Sequence, residues 1–149
     1  MRRLLLFFVV IVAGAAALGA VYYFQHLPGK GELQIGRTAI QIEIADNPLT
    51  QYQGLSGRES LCADCGMLFV FKKSAIQTFV MRGMKFPLDM IFIADHKIAE
   101  IWKEIPNPKA GEEPEYIQSL NVADQVLEVN AGWVAKNNIK VGDGVDSSP

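Results

Sequence analysis

The chain has 149 residues, half of them hydrophobic, and a formal net charge of −2. Two of its 14 basic residues, Arg2 and Arg3, precede an apolar segment, so the other 12 oppose 16 acidic residues and leave the rest with a charge of −4. A mildly acidic chain without a basic stripe argues against nucleic-acid binding, and two histidines exclude a histidine-rich metal site.

The first predicted element is a transmembrane helix over residues 4–24, an uncharged apolar segment. Such a helix is about 31 Å long, close to the thickness of the hydrocarbon core of a bilayer. Tyr22 and Tyr23 lie where an aromatic belt meets the headgroups, and the arginines at the other end favour a cytoplasmic N-terminus. The alternative is a signal peptide cleaved near Val21, because small residues occupy positions 15–20. Either interpretation exports the rest of the chain, to the outer side of the cytoplasmic membrane or as a secreted protein.

Composition divides the chain into three segments. Residues 1–26 are the membrane anchor or signal segment, and residues 27–32, with Pro28, Gly29 and Gly31, are predicted to be a linker. Residues 33–149 then form a single extracytoplasmic domain. With roughly 120 residues, it is large enough to bury about two-thirds of its unfolded surface.

The domain opens with a strand and a short helix. Residues 37–45, RTAIQIEIA, alternate isoleucine with polar residues, which predicts a half-buried strand. Asp46 or Asn47 then provides a helix cap with Pro48 in the first turn. The helix is short because Gly57 is expected to end it.

Further strands are predicted after the cysteines, at residues 66–71, 76–81, 88–94 and 97–102, with Asp95 and His96 in a hairpin turn. A proline-rich loop over 105–115 is followed by a strand at 125–129, a short helix within 132–139, and a closing turn and strand at 141–145. This order predicts an α+β domain whose small, barrel-like sheet is mostly antiparallel and carries two short helices.

Several blocks of the sequence occur in the order of a known family. They are GL-x-x-R from Gly54 to Arg58, GMLFVF at 66–71, F-x-M at Phe79 and Met81, PLDMIFI at 87–93, and VLEVNAG with IKVGD near the C-terminus. Over roughly residues 33–145 the chain resembles the prokaryotic family of the domain of unknown function numbered 192. The resemblance implies a compact, mostly β domain that is often exported, and it supplies no activity.

Two features depart from the family pattern. The family usually has Trp, Lys, Asn and Thr around its F-x-M block, where this chain has Val80, Arg82, Gly83 and Met84. A ligand that used the Asn or Thr side chain elsewhere in the family cannot do so here. The cysteine pair is not a general family feature, so it belongs to a subgroup.

Cys62 and Cys65 lie just before the apolar segment 66–71. A thioredoxin-like redox couple would place the first cysteine at a helix N-terminus, whereas a β-type segment follows here. A zinc site would need two further ligands, and there is no second cysteine pair. In an exported domain the pattern favours a structural disulfide, with a redox couple, a metal-ligand pair and free thiols as alternatives.

The methionines raise the question of copper, because thioethers and thiolates suit Cu(I). Met67, Met81, Met84 and Met90 lie near the cysteines in sequence. On a strand, however, a spacing of three places Met81 and Met84 on opposite faces, and methionine in strands usually fills the core. We therefore expect core packing, with no metal and no cofactor.

Asp89 is the charged residue that stands out, because it lies inside the apolar segment PLDMIFIA. A buried carboxylate needs a hydrogen-bonding partner, and Arg58 or Arg82 can bind it bidentately. In one interpretation Asp89 caps a turn or joins two strands. In the other, Asp89 lines a ligand site with these arginines, and the candidate ligand-binding residues are Arg58, Met81, Arg82 and Asp89.

No complete catalytic set is visible, and the sequence contains no Walker loop, GxGxxG, GxSxG or HExxH motif. The leading hypothesis is therefore a noncatalytic envelope domain, joined to the membrane by its N-terminal helix, that binds a small polar ligand or a partner protein. One alternative is an envelope enzyme with Asp89 and an arginine in its site. The other is a metal or redox accessory protein that uses Cys62 and Cys65.

Overall fold

The computed structural model of the protein describes residues 27–148, together with residues 14, 17–19 and 21. The elements of residues 27–148, in chain order, are β1 (Gly29–Ile35), β2 (Thr38–Ala45), α1 (Pro48–Gln53), β3 (Cys65–Ala75), β4 (Thr78–Val80), β5 (Leu88–Ala94), β6 (Lys97–Ile105), β7 (Tyr116–Gln118), β8 (Ala123–Asn130), α2 (Trp133–Lys136) and β9 (Val145–Ser148).

Seven of these strands form one curled sheet in the order β6-β5-β8-β3-β2-β1-β9, and β4 pairs with β7 in a separate two-stranded sheet. The predicted fold class is confirmed in outline: the domain is mostly β, and its curled sheet is a half-barrel with few short helices. In the described part of the chain, β2 and β3 are the one parallel pair, joined through α1. The two ends of the curled sheet also meet, since the Val145 amide donates to the carbonyl oxygen of His96 at 2.9 Å.

Each face of the large sheet buries its own hydrophobic core, because side chains of a strand alternate between the two faces. The first core includes Leu33, Ile40, Leu68, Ile91 and Leu127, and α2 packs against it through Trp133 and Val134. The second core lies on the opposite face, where the β4–β7 sheet and the segment after β4 cover Met67, Phe69, Met90, Phe92 and Val126.

Two predicted local structures are confirmed in detail. Asp95 and His96 have φ angles of 50° and 58°, so the hairpin between β5 and β6 turns through two left-handed residues. Asn47 caps α1 by accepting from the amides of Leu49 and Thr50 at 3.1 Å each. The helix ends at Gly54 rather than at the predicted Gly57.

The predicted linker is corrected by strand β1, which begins at Gly29 and pairs with β2 from Gly29 opposite Ile44. Pro28, Gly29 and Gly31 have the composition of a turn, but Gly29 and Gly31 pack against Ile44, with room for little more than a Cβ. A strand with such small residues carries no alternating pattern, so only pairing with β2 reveals it. The domain therefore starts before residue 33.

The predicted anchor, residues 4–24, lies largely outside the described residues and stays a prediction. Among the residues that are described, no helix has the length and apolar character needed to cross a membrane.

Candidate functional site

Asp89 is fully buried on the face of β5 that borders the first core, and backbone amides bind both of its carboxylate oxygens. Oδ1 accepts from the Glu104 amide at 2.8 Å and Oδ2 from the Val134 amide at 3.0 Å. The Glu104 amide needs this acceptor because the register of β5 and β6 shifts between Leu88 and Met90, and Glu104 itself has a φ of 54°. Asp89 thus joins a strand irregularity to the start of α2.

The expected pairing of Asp89 with an arginine is wrong. Arg58 instead donates to both carboxylate oxygens of Glu43, at 2.5 and 2.8 Å. The hydrogen bond from Arg58 is the main cause that lowers the pKa of Glu43, and the same bond raises the pKa of Arg58. Arg58 is therefore already paired, at a surface groove that also contains the two cysteines.

A disulfide joins Cys62 and Cys65, with their Cα atoms 5.2 Å apart. The loop is fixed to β8, because Asn130 Nδ2 donates to the carbonyl oxygen of Cys62 at 2.9 Å. Directly after it, a Cβ on Gly66 would lie 2.8 Å from Leu127 Cδ1 and 2.9 Å from the Glu128 carbonyl oxygen, so only glycine fits there. The disulfide thus closes the loop that leads into the buried part of β3.

The other two candidate residues, Met81 and Arg82, line a cleft of about 360 Å³ between α1 and the segment after β4. We call this space the cleft; its walls include Phe69, Phe79 and Met84. Asp89 and Arg58 are not among the residues that line it. The structure thus separates the four predicted ligand residues into three places.

Arg82 forms the rim of the cleft together with Tyr52. Its guanidinium lies 4.3 Å from the centre of the Tyr52 ring and donates to the Tyr52 hydroxyl at 3.1 Å and to its carbonyl oxygen at 3.2 Å. Ser56 Oγ donates to the Arg82 carbonyl oxygen at 2.7 Å, which ties the rim to the end of α1. The positive charge of the rim is thus fixed in position but remains exposed to solvent.

The wall behind this rim is aromatic. Phe79 meets Phe69 edge-to-face with ring centres 5.0 Å apart, and contacts Phe71 and Phe92 in the same way at 6.3 and 6.2 Å. These edge-to-face contacts match the electrostatic preference of aromatic rings, whose edges are positive and whose faces are negative. The back wall of the cleft is therefore a packed aromatic surface.

Glu128, which the sequence interpretation overlooked, also lines the cleft. It lies in the middle of β8, paired with Met67 of β3 on one side and with Met90 of β5 on the other. Its exposure is 5%, and within the described residues no hydrogen bond or ion pair to its carboxyl group is found. Removal from water raises the pKa of Glu128 to about 8.

A signal for Glu128 was present in the sequence. Residues 125–129, QVLEV, place a carboxylate in an apolar strand just as PLDMIFIA does for Asp89. Its spacing alone does not distinguish a buried carboxyl group from one on the polar face of a half-buried strand, and in the structure both faces of β8 are buried around Glu128.

The four methionines all pack in the second core, as predicted. Met81 and Met84 share this core rather than opposite faces, because the chain turns after β4 at Gly83, whose φ is 66°. In the described ranges, no group of three or more His, Cys, Asp and Glu side chains is placed to hold a metal ion.

Comparisons with known proteins agree with this fold. A profile of the family described as "Uncharacterized ACR", domain of unknown function 192, matches residues 31–147. A crystal structure from Sinorhizobium meliloti 1021, described as a "putative transcription regulator", is 30% identical, covers 81% of this chain and 95% of its own, and has a TM-score of 0.74. A protein of unknown function from Novosphingobium aromaticivorans DSM 12444 is 28% identical, covers 78% of this chain and 84% of its own, and has a TM-score of 0.71. A search of curated proteins gives no match.

Proposed function

We propose, from the premise that this chain belongs to the domain-of-unknown-function 192 family, that its domain binds a small polar ligand in the cleft. One observation carries the proposal: Glu128 is buried at the cleft, and no group of the described protein pairs with its carboxyl group. Buried carboxyl groups are normally hydrogen-bonded. The Glu128 carboxyl oxygens are not among the fully enclosed side-chain atoms that lack a partner in the described protein, so they open onto the cleft, where a ligand would meet them.

Binding is favoured over catalysis by the chemistry of the cleft. The ionisable side chains among its lining residues are Glu128, Arg82 and Tyr52, and the last two bind each other at the rim. The hydroxyl of Ser56 already donates to the backbone carbonyl of Arg82, and in the described part of the chain it makes no hydrogen bond to a side chain that could act as a base. A hydroxyl nucleophile is usually activated by an adjacent general base, whereas an apolar cleft with a few polar groups is typical of a binding site.

The description of the Sinorhizobium protein as a regulator is not carried over as DNA binding. Outside residues 1–3, the present chain has a charge of −4, from 12 basic and 16 acidic residues. Affinity for nucleic acid comes largely from the neutralisation of phosphates by Lys and Arg. A ligand-sensing role would fit both proteins without requiring contact between this domain and DNA.

We place the domain outside the cytoplasm, held by residues 4–24, on the basis of the length of that apolar segment and its arginine flank. The Cys62–Cys65 disulfide fits an oxidising compartment. A reporter that is active only outside the cytoplasm, fused after residue 149, should be active. Activity of a cytoplasm-specific reporter at that position would contradict the orientation, and a mature N-terminus near Val21 would replace anchoring by cleavage.

Ligand binding can be tested by filling the cleft. Thr78 is exposed and lines the cleft, so Thr78→Trp should occupy it from the rim. Leu120→Trp is the matched control, since Leu120 is 79% exposed and lies outside the cleft. In a thermal-shift screen of small polar metabolites, wild type and the control should share stabilising compounds that Thr78→Trp loses. Equal responses of all three proteins would contradict the proposal.

A further inference from the structure

We propose that the cleft receives the ammonium group of a small organic amine, with the Glu128 carboxylate as its counter-ion and the phenylalanine and methionine walls around its carbon skeleton. This inference rests on the proposed binding function and adds the chemical class of the ligand. It follows from three properties of the cleft: the charge at its base, the nature of its walls and its size.

The charge at the base comes first. Glu128 is the one acidic side chain among the residues that line the cleft. The strand neighbours on either side of it are Met67 and Met90, which offer no hydrogen-bond donor. An ammonium group carries several N–H donors and a positive charge, so it can both pair with and neutralise a carboxylate that the protein leaves alone. A neutral alcohol or amide could provide only the hydrogen bond.

The apolar walls of the cleft can pack against the carbon skeleton of an organic amine. Phe69 and Phe79 provide aromatic surface, and Met81 and Met84 provide thioether surface. Aromatic rings attract organic cations through their electron-rich faces, and methionine adapts its shape to apolar groups. A hydrated inorganic cation would gain little from such walls, whereas an alkyl or aryl amine would bury its carbon atoms against them.

Size favours a molecule over a metal ion. The cleft has a volume of about 360 Å³, at the lower end of the range for small-molecule sites, about 300–1,000 Å³. Cu(I) held by methionines is the competing occupant, because Met67, Met81, Met84 and Met90 share the core behind the cleft. A metal ion would leave most of this open volume to water, so we favour the amine.

The charged groups around Glu128 define how binding depends on pH. Met67 of β3, Met90 of β5, and Met81 and Met84 of the segment after β4 are uncharged, which leaves Arg82 and Tyr52 at the rim. The carboxyl group of Glu128 has a pKa of about 8, so below that pH an arriving ammonium ion displaces a proton from Glu128 to solvent. Affinity should rise with pH towards about 8 and fall again where the amine itself deprotonates, at about 10.

Phenethylamine and 2-phenylethanol are suitable probes, because they share a carbon skeleton and differ in the charged group. Isothermal titration at pH 8 should show phenethylamine binding at least about tenfold more tightly, the factor expected when one hydrogen bond becomes charge-assisted in a buried site. Glu128→Gln keeps the shape of the side chain and should abolish the difference. Glu113→Gln, in the exposed proline-rich loop, is the control and should preserve it.

The other outcomes separate this inference from the binding function itself. If both probes bind equally and Thr78→Trp removes both, the cleft binds ligands but the ammonium inference is wrong. If neither probe binds and the metabolite screen also shows no difference between Thr78→Trp and wild type, the binding function fails as well. Stoichiometric Cu(I) binding that Met84→Leu abolishes would overturn the amine in favour of a metal site. Circular dichroism of each variant verifies that it is folded.

Discussion

Asp89 and Glu128 are two buried carboxyl groups on neighbouring strands of one sheet, and the protein treats them in opposite ways. Asp89 of β5 pairs in register with Val129, the residue next to Glu128 of β8. This shift of one residue places the two side chains on opposite faces. Asp89 faces the first core and accepts from two backbone amides, whereas Glu128 faces the cleft and finds no partner in the described protein.

The difference shows that burial alone does not identify a functional carboxylate. Asp89 satisfies backbone groups that a strand irregularity and a helix start leave open, so its charge serves the fold. Glu128 lies within an unbroken ladder on both sides, and its carboxyl group bonds to no described residue, so its burial costs stability. A costly group that lines an open cleft is the better indication of function.

The largest expected effect concerns the pH dependence of stability. Because the pKa of Glu128 is raised from 4.5 to about 8, the folded state holds its proton more tightly than the unfolded state does. Protonated Glu128 makes its full contribution to the free energy of unfolding below pH 4.5, and this contribution is lost as the pH rises through about 8. Between pH 4 and pH 9, the free energy of unfolding of the wild type should fall by up to about 5 kcal/mol more than that of Glu128→Gln.

Urea unfolding of both proteins across this pH range measures the difference, and all other titrating groups cancel because the two proteins share them. Parallel pH profiles for wild type and Glu128→Gln would show that Glu128 ionises normally. The contrast between the two carboxyl groups would then be lost.

The second effect concerns Asp89. Asp89→Ala leaves the partly buried amide of Glu104 and the buried amide of Val134 without acceptors, which should lower the free energy of unfolding by about 2–4 kcal/mol. Asp146→Ala, at an exposed position on β9, is the control and should change it by less than about 0.5 kcal/mol. Chemical denaturation measures both values. If Asp89→Ala were as stable as wild type but bound ligand poorly, Asp89 would be a ligand-binding residue and not a structural one.

Glu100 extends the comparison with a third buried carboxylate, 8% exposed. Its Oε2 accepts from the amides of Leu120 and Asn121 at 2.8 and 3.1 Å, which holds the loop after β7 onto β6. As for Asp89, removal of the acceptor leaves backbone amides unpaired, so Glu100→Ala should lower the free energy of unfolding by about 1–3 kcal/mol. Amide hydrogen exchange should locate the loss of protection at residues 119–121. If the exchange there does not change, Glu100 does not hold this loop.

The smallest expected effect is that of the disulfide. Replacing both Cys62 and Cys65 by Ser should cost about 1 kcal/mol, because such a short loop removes little entropy from the unfolded chain. Ligand binding should be unchanged, since neither cysteine lines the cleft. Mass spectrometry of the unreduced, alkylated protein tests the bond directly. Two alkylated thiols, or bound copper or zinc that disappears with the double substitution, would favour a metal site.

The sequence by itself determined the features that depend on neighbouring residues. The alternation of isoleucines predicted β2, Asn47 with Pro48 predicted the start of α1, and Asp95 with His96 predicted the hairpin. The ordered blocks also identified the family. Each of these signals is local, because side-chain alternation, helix capping and backbone preference act within a few residues.

Tertiary structure alone decided which residues share a site. Strand β1 became visible only through its pairing with β2, and the parallel β2–β3 pair placed Arg58 beside Glu43 rather than beside Asp89. The same sheet register turned Asp89 towards backbone amides and Glu128 towards the cleft. Both carboxylates look alike in sequence, as single charges within apolar strands, and the physical reason for their different roles is long-range. Whether a buried charge finds a partner depends on strands and loops that are distant along the chain.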